Sequence, residues 1–301
     1  MAKTQQDKVL VIGTNGYVGK SIAGYMEDFF GQGNVVCIGG SKDSDWAMHW
    51  EAIKSGDFGA IRNVAGSRFS QPEEAQIASY LNANAYFPAD LARASGVSRT
   101  PIFHISSRWT IGESGEGPNT IYGATKALGD AQLAREMQRL GVPFVIARIR
   151  ETFGINDPRG SLISTLASYG ASGKPLPLTP GLQISDPIFV DDIAIGACLM
   201  VESLIGGATF NGFFETIVQP QTVRQIVDLW QSEIAPDLNP LFGELPYRGI
   251  ELFKMDQVHP ALPYFNPRNR GESFSIVYKA ATTTREVSLE DVEQFDLAPE
   301  D

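Results

Sequence analysis

In 301 residues the chain has only two cysteines and three histidines, and this scarcity narrows its chemistry. Cys37 and Cys198 lie far apart, without metal-ligand spacing, and each sits in an apolar run. They read as two buried, reduced thiols of a cytoplasmic protein. His49, His104 and His259 form no HExxH or paired-ligand pattern, so no metal site is expected. Basic charge is also scarce: 24 Lys and Arg stand against 35 Asp and Glu, a formal net charge of −11. Without a basic surplus to displace phosphate counterions, a nucleic-acid partner is excluded. A single anionic small molecule is not, because one helix N-terminus or two arginines can hold a phosphate. No apolar run approaches the roughly 20 residues of a membrane-spanning helix. The stretch Met1 to Lys8 lacks the apolar core of a signal peptide, so neither membrane nor export is expected.

What is present is a globular composition, 43% hydrophobic and 20% charged. Short β-branched runs alternate with amphipathic stretches through the first half. Val9–Ile12, Val35–Ile38, Ala60–Val64, Pro101–Ile105 and Phe144–Arg148 read as strands. Val18–Phe30 and Tyr122–Leu140 read as helices. A long helix is expected from Ser70-Gln71-Pro72-Glu73-Glu74, with its N-cap serine and first-turn proline, to about Ser95. This alternation predicts an α/β fold, a Rossmann-type doubly wound parallel sheet. After about Ile155 proline and glycine interrupt the pattern. We read residues 1–155, with a returning segment at about 186–215, as the dinucleotide-type domain. Residues 156–185 and 216–301 read as a smaller substrate-binding region. The acidic end from Glu290 to Asp301 reads as a solvated tail.

The first strand runs into Gly13-Thr14-Asn15-Gly16-Tyr17-Val18-Gly19, a G-x-x-G-x-x-G turn opening a helix. Gly13 permits the tight turn, Gly16 a close backbone approach to a diphosphate, and Gly19 close packing of helix on sheet. With Asn15, Tyr17 and Val18 between them, these glycines are the candidate phosphate cradle. At the end of the second strand, where an acid would bind the ribose hydroxyls of NAD, the chain has Gly39, followed by Gly40, Ser41 and Lys42. Ser41 and Lys42 could receive a 2′-phosphate, which favours NADP(H) and leaves NAD(H) possible. Asp43 and Asp45 weaken the argument, and a flexible turn with a solvated Lys42 is the plainer alternative.

Tyr122 and Lys126, at i and i+4, share one helix face. A neighbouring ammonium favours the phenolate and so suits a tyrosine to proton transfer. Ser107, at the end of the strand His104-Ile105-Ser106-Ser107, is placed to polarise a carbonyl. Ligands gather at such carboxyl strand ends.

These residues together resemble the extended short-chain dehydrogenase/reductase superfamily over nearly the whole chain. Also matching are Asn63-Val64-Ala65-Gly66, with Ala65 and Gly66 beneath the cofactor, and Asn84-Ala85 with Pro88 in the long helix. Gly154, Leu178-Thr179-Pro180-Gly181 and Asp186-Pro187-Ile188-Phe189-Val190-Asp191-Asp192 look like later family stretches. Within the superfamily, Gly243-Glu244-Leu245-Pro246-Tyr247-Arg248 with Glu251 is most similar to nucleotide-sugar 4-ketoreductases of the CDP-paratose/CDP-abequose synthase kind. The resemblance implies hydride transfer from nicotinamide to a sugar carbonyl. Tyr122 would be proton donor, Ser107 would hold the oxygen, and Lys126 would tune Tyr122 and orient the ribose. Asn84 would contact the cofactor, Arg248 would bind the diphosphate, and homodimerisation is common.

Some positions depart from the pattern. Ser185 stands where relatives have an arginine, and Glu151 where they have an asparagine touching substrate. Glu151 would then turn away, pair with Arg148 or Arg150, or mark a different substrate. Arg108 and Trp109 replace the Asp-Glu pair of dehydratases, which disfavours water elimination. Arg108 is equally a substrate contact or a structural partner of Glu113 or Glu116. No strand is evident for the aspartate that often binds adenine. The leading expectation is an NADPH-dependent reductase of a 4-keto-6-deoxy nucleotide sugar. Alternatives are an epimerase with tightly bound NAD, a reductase of a non-sugar ketone, and a non-catalytic NADP sensor.

Overall fold

The computed structural model describes residues 8–39, 46–66 and 74–283. Ser41, Lys42, the Ser70–Glu73 cap and the acidic end all lie outside them. The chain divides into two compact units. One comprises 1–150, 191–216 and 256–266, the other 151–190, 217–255 and 267–301.

The first unit is built on six parallel strands: β1 (Val9–Ile12), β2 (Val35–Ile38), β3 (Ala60–Asn63), β4 (Ile102–Ser107), β5 (Phe144–Ile149) and a later strand, Asn211–Glu215. Their order is β2-β1-β3-β4-β5 followed by that later strand. Every residue of β1, β3, β4 and β5 is buried, as expected of strands covered on both faces. Leu10, Ile12, Ile38, Ile61, Ile102 and Phe144 form one core. It is shared with α2 (Trp46–Ser55), α4 (Phe87–Ser98) and α5 (Ile121–Leu140). Strand alternation turns Val9, Val11, Arg62 and Phe103 to the opposite face. On that side Ser21 of α1 (Tyr17–Phe30) donates to Asp191 near the start of the helix Val190–Ile205.

The structure departs from or adds to the sequence reading at three points. The long helix is broken into α3 (Glu74–Leu81), a π-helical turn (Asn82–Tyr86) and α4. Pro88 explains the break: it has no N–H for the Asn84 carbonyl four residues back, and its ring crowds that carbonyl. Phe87 N–H instead reaches back five residues to Asn82 O. Second, α2 was not anticipated; it is the only regular element between β2 and β3 among the described residues. The usual dinucleotide order 3-2-1-4-5-6 is therefore short of its outermost strand. Third, β2 is consequently a sheet edge, and Cys37 is exposed, with Sγ 3.7 Å from Glu27 Oε1; only Cys198 is buried.

In the second unit, the remaining elements run β6 (Thr152–Phe153), α6 (Leu162–Ser172), β7 (Pro175–Leu178), β8 (Ile184–Ser185) and β9 (Ile188–Phe189). After α7 (Val190–Ile205) and β10 (Asn211–Glu215) of the first unit come β11 (Gln221–Thr222), α8 (Val223–Glu233), β12 (Asn239–Phe242) and α9 (Arg270–Thr283). The pairs are β6 with β9 and β7 with β12, both parallel, and β8 with β11, antiparallel. Trp230, Phe274, Phe153 and Leu166 centre the second core. Thr222 and Gln225 close a capping box on α8. No helix among the described residues is long and apolar enough to cross a membrane.

Candidate active site

The glycine turn is constrained from three sides. Gly13 has φ +96°, and a Cβ there would lie 2.8 Å from Ala65 Cα. A Cβ on Gly19 would lie 2.8 Å from the carbonyl carbon of Gly13. Gly16 is open, its Cβ position meeting only Gly13 O at 3.7 Å. It begins α1 without a side-chain cap. The helix thus presents its positive end beside glycine backbone, a fit for a diphosphate. Across the crevice, a Cβ on Gly66 would meet Asn84 Oδ1 at 3.2 Å and Lys126 Nζ at 3.4 Å. Gly13 and Gly19 are close-packed, on Ala65 and on the Gly13 carbonyl, while Asn15 and Gly16 are exposed. Gly66, Asn84 and Lys126 come together, and with the glycine turn they suit a nicotinamide dinucleotide.

Ser107 ends β4 and caps the short turn Arg108–Thr110. Its Oγ accepts from Trp109 N at 3.3 Å. An oxygen that accepts there keeps its own proton for a substrate oxygen. Thr120 caps α5 by accepting from Gly123 N, so Tyr122 sits in the helix's first turn. Gly123 allows that turn to press on the loop after Ser107, since a Cβ would lie 3.0 Å from the carbonyl carbon of Trp109. Lys126 is buried, 4% exposed, and its Nζ donates to Ile105 O at 3.0 Å, leaving two donors for other partners. Asn84 Nδ2 donates to Thr125 Oγ1 at 3.1 Å, which donates to Tyr122 O at 3.0 Å. Gly129 lets α5 approach the carbonyl of Asn84 freed by Pro88.

Behind the crevice lies a buried polar framework that sequence reading missed. Ala65 N donates to Asn63 Oδ1 at 3.0 Å, which turns Asn63 Nδ2 toward His104 Nδ1, also at 3.0 Å. His104 Nδ1 is therefore the acceptor, and Nε2 carries the hydrogen facing Asp130 Oδ1 at 3.4 Å. Burial pushes the His104 pKa below its usual value, against a smaller opposing effect of Asp130. Ser106 Oγ donates to Asp130 Oδ2 at 2.6 Å, and Arg148 Nε stands 3.7 Å from the same oxygen. Arg148 Nη1 meets the His259 ring at 3.1 Å. Glu215 Oε1 accepts from the backbone N–H groups of Val258 and His259, at 2.9 and 2.8 Å. Its Oε2 faces Arg150 at 3.6 Å and Arg108 at 3.9 Å. The available signal was polar residues at buried strand positions: Arg62, His104, Ser106 and Arg148 interrupt otherwise apolar strands.

Arg108 is 3% exposed and donates to the carbonyls of Glu113, at 2.8 Å, and Asp256, at 3.1 Å. Its guanidinium is thus engaged inside the protein, and the carboxylate it faces is Glu215. In the second unit, Glu151 Oε2 accepts from Asp186 N at 3.2 Å. Asp186 itself is buried, accepting from Val218 N, Gln219 N and Arg270. Arg248 is exposed and pairs with Glu251 at 3.2 Å, a surface ion pair within its own loop.

The chain matches the model of the NAD dependent epimerase/dehydratase family over residues 9–211. It is 29% identical over 122 residues to the dTDP-glucose 4,6-dehydratase of Neisseria meningitidis serogroup B, which covers 40% of this chain and 34% of that protein. The match thus spans about a third of the length of its curated relative. The fold is similar to that of UDP-N-acetylglucosamine 4-epimerase from Methanobrevibacter ruminantium (TM-score 0.75, 18% identity, 92% of this chain and 98% of that one). It is also similar to DesIV, a dTDP-glucose 4,6-dehydratase from Streptomyces venezuelae (TM-score 0.68, 14% identity, 93% and 98%). With a Rossmann-like sheet, a glycine cradle and the Ser107, Tyr122 and Lys126 group on one unit, the chain belongs to the NAD dependent epimerase/dehydratase family, enzymes of the extended short-chain dehydrogenase/reductase type.

Proposed function

We propose that this enzyme reduces the keto group of a 4-keto-6-deoxy nucleotide sugar, with a nicotinamide dinucleotide as hydride source and NADPH favoured. The observation that carries this reading is the pair after Ser107. Arg108 is committed to the Glu113 and Asp256 carbonyls, and Trp109 has no titratable group. With neither residue after Ser107 able to serve as an acid–base pair, Tyr122 is the proton-transfer residue of this reading, which suits carbonyl reduction better than removal of a hydroxyl as water.

The bound dinucleotide would supply the hydride that adds to the carbonyl carbon. Ser107 Oγ, oriented by Trp109 N–H, donates to the carbonyl oxygen and polarises it. Tyr122 gives its phenolic proton to that oxygen, yielding the alcohol, and regains a proton from solvent. Lys126, anchored on Ile105 O with its Nζ beside Gly66, is placed to bind the nicotinamide ribose. Asn84 and Thr125 steady the first turn of α5. Glu151 and Arg248 remain candidates for the nucleotide-sugar handle, Arg248 by exchanging Glu251 for a diphosphate.

The epimerases among the similar structures favour a second reading: an epimerase that retains NAD and returns the hydride. Titration of nucleotide-stripped protein with NADPH and NADH, followed by turnover assays, separates the two. Consumption of NADPH with CDP- or dTDP-4-keto-6-deoxy sugars supports the reductase. Interconversion of UDP-sugars with no net change in the dinucleotide overturns it.

A further inference from the structure

We infer that Asn15 occupies the place where NAD-selective folds carry a strand-end carboxylate, and that its neutral carboxamide receives the adenosine ribose and admits a 2′-phosphate. The inference rests on the reading of the glycine cradle as a dinucleotide site.

Gly39 directly follows β2, where an acid ordinarily takes the ribose hydroxyls. The space a side chain would fill at Gly39 is taken by Asn15. A Cβ there would lie 2.8 Å from Asn15 Cγ and 2.9 Å from its Oδ1. The backbone brings the two segments together. Gly13 N and Thr14 N both donate to Ile38 O, at 2.8 and 3.1 Å, tying the glycine turn to the last residue of β2. Asn15 is thereby delivered over Gly39 from a different segment, 24 residues earlier in the chain.

The consequence is chemical. A carboxylate accepts two ribose hydroxyl protons and repels a phosphate. A carboxamide in the same place both accepts and donates, carries no charge, and can bond a hydroxyl or a phosphate oxygen. An acid cannot be introduced at position 39 unless Asn15 moves. Asn15 itself is exposed, so its substitution leaves the core intact.

The experiment measures dissociation constants on nucleotide-stripped protein for NADPH and NADH, and for 2′,5′-ADP and ADP, which isolate the adenosine end. Asn15→Asp should shift the NADPH-to-NADH ratio of dissociation constants at least tenfold toward NADH, with a parallel shift for 2′,5′-ADP against ADP. Gly39→Asp alone should weaken both dinucleotides, and Asn15→Gly with Gly39→Asp should restore NADH but not NADPH. A ratio unchanged within twofold in Asn15→Asp, at unchanged melting temperature, overturns the inference, as does a wild-type preference for NADH. Wild-type protein that binds no dinucleotide would instead refute the dinucleotide reading itself.

Discussion

Glu215 Oε2 lies 3.9 Å from Arg108 Nε, so the residue immediately after Ser107 is tied electrostatically to the end of β10. The same carboxylate faces Arg150 and, through Oε1, holds the backbone of Val258 and His259. Burial lowers the Arg108 pKa while Glu215 opposes that shift, as expected of a cation retained in the interior by its partner. Removing its charge takes away the carboxylate that both buried guanidinium groups face. Glu215→Gln should therefore destabilise the protein by about 3–5 kcal/mol, the range for breaking one side of a buried ion pair. Thermal melts read the loss; a change below about 1 kcal/mol would mean the arginines are solvated without Glu215.

Arg62 is the opposite case. It is fully buried on β3, its guanidinium nitrogens have no hydrogen-bond partner among the described residues, and it lies 4.1 Å over the Phe103 ring. Burial lowers its pKa to about 9. An uncompensated interior charge costs stability, so Arg62→Met should be neutral or stabilising by about 1–4 kcal/mol. A clearly lower denaturation midpoint would show that the cation–π contact outweighs desolvation.

His104 makes stability depend on mild acid. Its folded pKa is depressed below 6.5, so between that folded value and 6.5 the unfolded chain binds more protons than the native one. Stability is therefore fully present above pH 6.5 and is lost as pH falls through the folded pKa, by at most about 1.4 kcal/mol per pH unit for one site. His104→Gln should flatten this dependence in melts taken between pH 7.5 and 5. A slope identical to wild type would assign it to other groups, His259 among them.

Tyr122→Phe should lower turnover by about 10²–10⁴-fold, the usual range for a lost general acid. NAD(P)H affinity should stay within about twofold, because in the proposed mechanism the phenol would act on the substrate oxygen and not on a phosphate. Lys126→Ala should weaken dinucleotide binding as well as turnover. Equal affinity in both variants, measured by titration, would contradict the role of Lys126 at the ribose.

Much of the first unit was legible in the chain. The runs Val9–Ile12 and Phe144–Ile149, the Gly13 turn, and Tyr122 with Lys126 each reveal themselves within a few residues. Periodicity, turn geometry and i, i+4 spacing are local properties, and local properties are written in sequence. The Ser107, Tyr122 and Lys126 group was also within reach, because a strand end and a helix start at the carboxyl edge of a parallel sheet converge by topology.

The rest depended on contacts between distant segments. Cys37 reads as buried until β2 proves to be a sheet edge, and Pro88 reads as an ordinary helix residue until Asn84 is seen against Gly129. Arg108 offered substrate or structure equally; the nearby Glu113 carbonyl engages it internally together with Asp256 and Glu215, which arrive from far along the chain. Asn15 and Gly39 carry no sequence sign of their overlap. The sequence determined the sheet, the glycine turn and the placing of Tyr122 and Lys126 on one helix, because short-range sterics and hydrophobic alternation encode them. Tertiary structure decided which charges are buried, which partner each has, and what stands over Gly39, because those depend on where strands pair and how closely backbones approach.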